Sequence, residues 1–446
     1  MMLRSIIWYS TISCFAAVGG CRFPDLPALD EDGNAVDAAP TDTAVDAEVD
    51  APFPCQPDTI DCDEGTDVYT ECSSEGIATL QMQCPLGCAS DMEKCVDVDP
   101  SNGLATYLDM AATAPDLVLT GTSTINPYDG TILVGAVAVQ VPNFTTDGIR
   151  VFVVRSLSVE GTVNVSRRYA SPSLAFVSHG DVTVSGLLDI SAQGAEGGAG
   201  GMWGGDQSAP NNCGGHWPMN DAGAGGGGGG EMGAMGGAAA SESGAAGGPV
   251  MSFIEPLSGG CEGGTVQVGE YSFGGGGGGG LQITSRTAIT ISGSGVIDAS
   301  GGGAAHRQQP GGFPIAGAGG GGGGNVLLEA PQVILDGPAV VVSTKGGGGA
   351  GASTSTSSSG SDGGYDASPA PGGTSPSQSH GGRGGTGADV PFAGQSAGCS
   401  GCEAGGGGGA AGMTMFRNLA GAIAPQNGAV VRSKSMSAQI RTRLVP

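Results

Sequence analysis

The residues suited to acid–base chemistry are aspartates in the C-terminal half of the chain, and their spacing does not support catalysis. Hydrolysis of a glycosidic bond needs two carboxylates about 5–9.5 Å apart. Here the acids occur singly, one to each apolar segment or turn. They are Asp181, Asp189, Asp298 and Asp336. Asp189 and Asp298 take the same place in two similar segments, where we expect both to face water. We therefore predict no catalytic residue.

Two tryptophans and one Gly-rich stretch are candidates for binding rather than catalysis. Trp203 and Trp217 lie among glycines, where packing within the stretch is favoured over stacking on a sugar. Residues 384–389 (GGTGAD) resemble the start of a Ca²⁺-binding nonapeptide, but Pro391 takes the place of the large apolar residue. A single copy also lacks the second half of such a site. We predict neither a metal nor a cofactor.

Four cysteines of the Gly-rich half are predicted to form disulfides, because an exported chain favours them. They are Cys213, Cys261, Cys399 and Cys402. Cys399 and Cys402 could bridge locally or reach the other two. The rival interpretation is a metal clamp in which Cys213 and His216 join Cys399 and Cys402. Nothing in the sequence brings those two stretches together, so disulfides are preferred.

Six further cysteines crowd into residues 55–99, a segment too short to bury a sizeable core of its own. They are Cys55, Cys62, Cys72, Cys84, Cys88 and Cys95. Three disulfides are expected, and the sequence leaves their pairing open. A zinc site that uses Cys84 and Cys88 is the weaker alternative. This module is similar to disulfide-rich spacers of bacterial surface lipoproteins.

The first 21 residues have the layout of a bacterial export signal, with Arg4, an apolar stretch and then small residues. The apolar stretch is too short to span a bilayer stably. Residues 18–21 (VGGC) resemble the lipobox of bacterial lipoproteins. That resemblance implies lipidation of Cys21, which would make the membrane a partner of the chain. Arg22 follows, as in lipoproteins sent to the outer membrane.

The charge is strongly acidic and unevenly distributed. The formal net charge is −26, which excludes a basic nucleic-acid binder. Residues 22–99 hold 20 acidic residues against Arg22 and Lys94. Residues 22–54 are also poor in aromatic residues, and such a segment cannot bury enough surface to fold. We predict a disordered acidic tether there.

Glycine dominates the second half of the chain. Of 89 glycines, 14 lie in residues 1–193, and only 13% of all residues are charged. Long glycine runs break the every-third-residue register of collagen. The runs separate three modules in which apolar segments recur in the same order. The modules cover residues 174–191, 281–300 and 326–343.

Each module contains three short stretches in which apolar residues alternate, joined by turns. A period of two predicts strands. Three short strands per module, stacked on their equivalents, are what a parallel β-helix needs. We predict an all-β fold over residues 100–446, a parallel β-helix (solenoid) with long Gly-rich loops.

The Gly-rich inserts have two interpretations that the sequence leaves open. An ordered glycine loses more conformational entropy than any other residue, which favours flexible loops. Glycine also permits extended, polyproline-II-like chains to approach closely, which favours a packed plate.

Both ends of the predicted β-helix have candidate caps. Leu104, Tyr107, Leu108 and Ala111 have helical spacing after a possible cap at Asn102 and could cover the first coil. At the other end, apolar residues alternate from Met436 to Leu444. A closing strand there, with its arginines outward, would protect the last edge from another chain.

In composition and repeat pattern, residues 101–446 resemble Gly-rich bacterial surface proteins with pectin-lyase-like or adhesin-like β-helices. The resemblance implies an exported, lipid-anchored structural or adhesive protein without enzymatic activity. It would lie at the outer membrane facing the cell surface, or be periplasmic or extracellular. An extracellular glycan or a neighbouring cell surface is a possible partner, and nucleic acid is not. The alternative is a polysaccharide lyase or hydrolase.

Overall fold

The computed structural model describes residues 55–445 except 64, 90–93, 205–212, 219–220, 241, 252–253, 267–271, 307–314, 353–358, 376–378 and 400–401. The predicted signal peptide (1–21), the lipidation site Cys21 and the acidic tether (22–54) lie outside the described residues. Residues 54–446 form one compact unit.

The described residues are built almost wholly from strands and non-repetitive chain. The strands in chain order are β1 (Ile60–Asp63), β2 (Val68–Cys72), β3 (Ala78–Gln83), β4 (Cys88–Ala89), β5 (Lys94–Val98), β6 (Leu117–Leu119), β7 (Thr122–Asn126), β8 (Thr131–Val134), β9 (Val137–Val139), β10 (Asn143–Thr146), β11 (Ile149–Val154), β12 (Leu157–Val159), β13 (Thr162–Val165), β14 (Ser173–Ser178), β15 (Val182–Val184), β16 (Leu187–Asp189), β17 (Gly280–Ser285), β18 (Ala288–Ser292), β19 (Val296–Asp298), β20 (Asn325–Glu329), β21 (Gln332–Asp336), β22 (Val341–Ser343), β23 (Met413–Asn418), β24 (Val430–Arg432), β25 (Lys434–Gln439) and β26 (Thr442–Val445). The α-helix in this part of the chain is α1 (Ala105–Met110), flanked by the 3₁₀ turns Ser101–Gly103 and Ala111–Thr113.

Three large sheets contain the module strands. A seven-stranded sheet has the order β10-β11-β14-β17-β20-β23-β25, and a five-stranded sheet has the order β21-β18-β15-β12-β6. An eight-stranded sheet has the order β24-β22-β19-β16-β13-β7-β8-β9. Equivalent strands of the three modules pair side by side and parallel. Two three-stranded antiparallel sheets, β1-β2-β3 and β4-β5-β26, complete the described strands.

The predicted fold class, a single parallel β-helix with Gly-rich loops, is wrong. The described strands form several sheets, and both the seven- and the eight-stranded sheet are mixed. Their antiparallel pairs are β10 with β11, β7 with β8, and β8 with β9. A two-residue turn causes the first of these, because Asp147 and Gly148 both have positive φ (45° and 76°) and reverse the chain between Thr146 and Ile149.

The main apolar core lies between the three large sheets, and a second core covers the other face of the seven-stranded sheet. Alternate residues of β11 serve the two cores: Phe152 and Val154 face the first, and Val151 and Val153 face the second. Phe152 stacks on Phe176 of the neighbouring strand β14, with ring centroids 5.7 Å apart. Burial on both faces makes this sheet the centre of the molecule.

Helix α1 lies on the outer face of the seven-stranded sheet. Leu104, Leu108 and Ala111 are buried in the second core, as their helical spacing predicts. Asn102 does not cap the helix; its φ of 58° lies in the left-handed region, and the helix has no side-chain cap. The expected helix is therefore present, whereas its expected cap is not.

The C-terminal residues form two strands instead of the single closing strand that the alternation predicts. β25 pairs in parallel with β23 at the edge of the seven-stranded sheet. β26 pairs antiparallel with β5 of the cysteine-rich segment. The end of the chain thereby holds that segment against the large sheets.

The described parts of residues 190–279, 299–324 and 344–412, named here the Gly-rich body, are packed together and are not loose loops. Residues 319–324 are all buried, although they belong to no strand or helix. Their amides donate in turn to three neighbouring segments, at N···O distances of 2.8–2.9 Å. The three segments are 261–264, 407–410 and 299–302, and the order repeats after three residues.

A period of three is the period of a polyproline II helix, which has three residues per turn and no internal hydrogen bonds. The segment 405–410 repeats the pattern toward three other segments, which are 392–395, 347–350 and 224–227. The backbone groups that a polyproline II helix leaves to water are therefore satisfied by neighbouring chains. Of the two open interpretations, the packed one describes this structure.

Close approach of the chains explains the composition. A Cβ atom added to Gly321 would lie 2.0 Å from the carbonyl oxygen of Gly276, and one added to Gly406 would lie 1.9 Å from that of Ala318. Both obstacles are backbone atoms, which cannot swing aside. Any larger residue at these positions would push the chains apart.

This packing makes a direct prediction for glycine substitutions. Gly321→Ala should lower the free energy of unfolding by roughly 1–3 kcal/mol, because the added methyl group overlaps backbone. Urea unfolding of the full chain, followed by circular dichroism, measures the change.

The matched control is Gly364→Ala, since a Cβ at Gly364 meets nothing within 4 Å. It should change the free energy of unfolding by less than about 0.5 kcal/mol. Equal effects of the two substitutions would contradict the packed arrangement.

Candidate functional site

A concave site lies where the edge of the seven-stranded sheet meets the Gly-rich body. This cleft, named here the Trp203 cleft, has a volume of about 600 Å³. Its walls come from distant parts of the chain, and they include Tyr128, Tyr169, Trp203 and Leu257. Pockets of roughly 300–1,000 Å³ are typical of small-molecule sites.

Arg150 of strand β11 positions the wall that carries Tyr128. Its Nε donates to the carbonyl of Pro127 at 2.8 Å, and one terminal nitrogen donates to the carbonyl of Tyr128 at 2.8 Å. The other terminal nitrogen donates to Oδ1 of Asn143 at 3.0 Å. The guanidinium is thus committed to holding the turn between β7 and β8 against the sheet edge.

Leu257 lies in another wall of the Trp203 cleft, and two sets of contacts fix its position. Its amide donates to Oδ1 of Asn102 at 3.0 Å. Two residues earlier in the chain, the Glu255 carboxylate binds Arg417 at 2.6 Å and Arg441 at 2.9 Å. These contacts fix a segment that has no regular secondary structure.

The same Arg417 belongs to a buried polar network beneath the turn before α1. Glu329 is fully buried and accepts hydrogen bonds from Ser101, Gln282 and Thr284 besides an ion pair with Arg417 at 3.1 Å. Burial raises the pKa of Glu329, while the hydrogen bonds oppose that rise. The network ties strands β17, β20 and β23 to the chain that enters α1.

The aromatic rings give the Trp203 cleft its chemical character. Tyr128 and Tyr169 are 59% and 57% exposed. The ring of Tyr169 meets the indole of Trp203 edge to face, with centroids 6.1 Å apart. The sequence indicates Trp203 as a candidate for ligand binding but favours packing within its own Gly-rich stretch. The two tyrosines carried no comparable signal.

The second tryptophan lines a separate cleft within the Gly-rich body. Trp217, His216, Pro218 and Met235 surround a space of about 610 Å³. Met235 is 53% exposed. Both tryptophans that the sequence singled out therefore lie beside concave surfaces.

The aspartates at the equivalent module positions are brought together, but they do not both face water. Asp189 and Asp298 are register partners on adjacent parallel strands β16 and β19. Asp189 forms an ion pair with Arg167 at 3.0 Å, whereas Asp298 is only 5% exposed and accepts hydrogen bonds from Ser300. The expectation of two solvent-facing acids is wrong for Asp298, which is buried between Asp189 of β16 and Ser343 of β22 in the sheet register.

Burial raises the pKa of the Asp298 carboxyl. Burial and, to a lesser extent, the Asp189 charge raise the pKa of Asp298 to about 6, while Ser300 and Lys345 oppose the rise. Lys345 is itself buried and binds the Asp366 carboxylate at 2.5 Å. The other two acids singled out from the sequence, Asp181 and Asp336, lie in or beside turns.

The structure pairs all ten of the cysteines that it describes. The pairs are Cys55–Cys72, Cys62–Cys88, Cys84–Cys95, Cys213–Cys261 and Cys399–Cys402. Cys213 and Cys399 belong to different bridges, so the alternative metal clamp is not assembled. In the N-terminal module, the sulfur atoms of Cys62, Cys84 and Cys95 lie within 4.8 Å of one another. They are bonded in disulfides and offer no thiolate for zinc.

Comparisons with protein-family models, curated proteins and solved structures found no match for this chain. Among the described residues, no helix has the length and apolar character needed to cross a membrane.

The buried acid predicts a pH-dependent stability. The folded pKa of Asp298, about 6, exceeds the ordinary value of 3.8, so the folded state binds the proton more tightly than the unfolded state. This group therefore favours folding at low pH, and its contribution is lost as pH rises from about 4 to above 6. The difference corresponds to roughly 3 kcal/mol.

Asp298→Asn removes this titration and keeps an oxygen that accepts from Ser300. The variant should therefore be more stable than the wild type at pH 8, by up to about 3 kcal/mol, and similar to it at pH 3.5. Urea unfolding across this pH range gives both curves. Asp181→Asn, at an exposed turn acid, is the control and should follow the wild-type curve. A parallel pair of curves for Asp298→Asn and wild type would disprove the assignment.

Disulfide connectivity in the cysteine module is a separate prediction. The Cys62 and Cys84 sulfurs, from different bridges, are 3.4 Å apart, so exchange to a Cys62–Cys84 bridge is the competing outcome. Partial reduction at acid pH, alkylation and peptide mass spectrometry should recover Cys62–Cys88 and Cys84–Cys95. A peptide that joins Cys62 to Cys84, or alkylated thiols in the unreduced protein, would contradict this pairing.

Proposed function

We propose that this protein is an exported, lipid-anchored cell-surface protein with a structural or adhesive role. The observation that carries the proposal is the order of the Gly-rich body. Its segments hydrogen-bond to one another with a period of three residues, and they bury their backbone without side chains. The body would be the part of the molecule that is presented to the surroundings.

The conformational entropy lost when the Gly-rich segments become ordered supports a role that needs a rigid surface. Ordering glycine costs more backbone entropy than ordering any other residue. A flexible brush of loops would avoid that cost, because it needs no fixed contacts. A chain that orders its glycines so thoroughly gains a stiff body of low charge.

The paired cysteines support export. Disulfides persist in oxidising compartments and are rare in the bacterial cytosol. One bridge, Cys213–Cys261, lies inside the Gly-rich body, where both cysteines are buried. Together with the signal-like first 21 residues, this supports a location beyond the inner membrane, with the membrane as a partner through lipid on Cys21.

A polysaccharide lyase or hydrolase is the second candidate, and one observation favours it. Burial and the neighbouring Asp221 carboxyl raise the pKa of Glu403 to about 7. A carboxyl that keeps its proton near neutral pH could act as a general acid. Asp221 and Glu403, however, line neither the Trp203 cleft nor the Trp217 cleft. We therefore prefer the non-catalytic role.

The lipid anchor can be tested by expression of the full chain in a bacterium with two membranes. The wild-type protein should sediment with the membrane fraction and be digested when intact cells are treated with protease. Cys21→Ser should move most of the protein to the soluble or secreted fraction, because a second acyl-bearing site is absent from the predicted lipobox.

Cys14→Ser is the matched control, since Cys14 lies within the apolar stretch of the same leader. It should fractionate as the wild type does. Identical fractionation of Cys21→Ser and wild type would rule out the anchor, and protection of the wild type on intact cells would rule out surface display.

A further inference from the structure

The Trp203 cleft has the features of a binding site for a specific kind of ligand. Two of its tyrosines remain more than half exposed, at 59% for Tyr128 and 57% for Tyr169. Exposed aromatic rings grouped around a concave surface are characteristic of ligand grooves and not of the average protein surface. Their faces offer flat apolar area, while their hydroxyl groups remain polar.

Two buried polar atoms of the cleft residues have no hydrogen-bond partner among the residues that the structure describes. They are the Nε1 of Trp203 and the Oγ of Ser171. Nearly all buried polar groups in proteins are paired, and leaving one unpaired costs roughly 1–3 kcal/mol. Both residues line the same cleft. A ligand that carries hydroxyl groups would provide the acceptor and donor that the protein does not.

The charge of the cleft argues against an ionic ligand. Among its lining residues, Asp147 and Arg150 are the ones charged at neutral pH. Each of the three guanidinium nitrogens of Arg150 donates a hydrogen bond within the protein, to Pro127, Tyr128 or Asn143. The guanidinium is therefore not available to bind an anionic ligand. The net charge of −26 also repels polyanions at long range.

We propose that the Trp203 cleft binds a neutral oligosaccharide. The sugar rings would stack on Tyr128 and Tyr169, and their hydroxyl groups would hydrogen-bond to Trp203 and Ser171. This inference rests on the proposed surface role and deepens it, because it names the class of ligand to which the protein would adhere. A proline-rich peptide is the competing occupant of an aromatic groove. Its carbonyl groups could accept from Trp203 and Ser171, but a polyproline backbone has no N–H group to donate to the Ser171 hydroxyl.

The shape of the cleft is set by parts of the fold that a ligand need not rearrange. The Asp147-Gly148 turn and Arg150 fix one wall, and the Glu255 ion pairs fix the other. Preformed sites lose less conformational entropy on binding than flexible ones. The backbone of the cleft should therefore change little on binding, while side chains around Trp203 and Ser171 shift to expose the two buried polar atoms.

Isothermal titration calorimetry tests the proposal on the full chain, solubilised in a detergent without a sugar headgroup. The probes are cellohexaose, maltohexaose, xylohexaose and chitohexaose as neutral sugars. Hexagalacturonate is the acidic comparison, and a proline decapeptide is the competing class. We expect at least one neutral hexaose to bind more tightly than hexagalacturonate and the peptide.

Substitutions locate the binding in the cleft. Tyr169→Ala should weaken binding at least tenfold, and Tyr169→Phe should retain most of the affinity because the ring face remains. Trp203→Phe keeps an aromatic ring without the Nε1 donor and should weaken binding severalfold. The matched control is Tyr365→Ala, at a 45% exposed tyrosine that does not line the cleft. It should bind within twofold of wild type, and circular dichroism should show that each variant is folded.

Absence of binding to every neutral hexaose would overturn the proposal, as would tighter binding of hexagalacturonate or of the peptide. Equal affinities of wild type and Tyr169→Ala would also overturn it. Surface display is measured independently on intact cells. A protein that is displayed but binds no sugar refutes the ligand alone, whereas a protein that binds sugar but is not displayed refutes the proposed function. Shortened sugar products in the titration cell would show catalysis and would favour the lyase or hydrolase.

Discussion

The hydrogen bonds between Gly-rich segments are the interaction on which the rest of the structure depends. Each inner segment donates in three directions, with a period of three residues, so that it has neighbours all round. This is possible only where no side chain separates the chains; at Gly321 a Cβ would lie 2.0 Å from a carbonyl oxygen. The body is thus stabilised mainly by backbone pairing, beside small apolar clusters such as that of Val266, Ile315 and Ala316, and its high glycine content is a steric requirement.

The Gly-rich body and the sheets form one continuous arrangement. Strand β17 begins at Gly280, β20 directly follows Gly324, and β23 directly follows Gly412. The chain therefore passes from one kind of packing to the other without a break. Pairing between neighbouring strands fixes the register of the Gly-rich segments that precede those strands. The apolar core between the sheets thereby aligns the Gly-rich chains. A substitution in the sheets or in the Gly-rich body should therefore affect the stability of both.

The two tryptophans of the Gly-rich body lie beside clefts. Trp203 and Trp217 each line one cleft, and Tyr169 stands beside the first. The body supplies stiffness, and the clefts supply the aromatic and polar groups that could recognise a ligand. Charged residues are few, and several of them are used internally, as in the pairing of Glu329 with Arg417. Recognition at such a surface would depend on shape and hydrogen bonding more than on charge.

Local pattern in the sequence determined the strands of the three modules, the helix at Ala105–Met110 and the capacity of the cysteines to pair. These features depend on the period of side chains along one segment. Only the folded structure showed that the sheets are mixed, because the short hairpins β7-β8-β9 and β10-β11 have the same alternating pattern as the parallel module strands. Tertiary structure also decided that Asp298 is buried beside Asp189 and that the Gly-rich segments are ordered. In these two cases the deciding partner lies far away in the chain. A glycine segment has no side-chain pattern from which its hydrogen-bond partners could be predicted. The walls of the Trp203 cleft come from distant parts of the chain, so they meet only after the whole chain has folded.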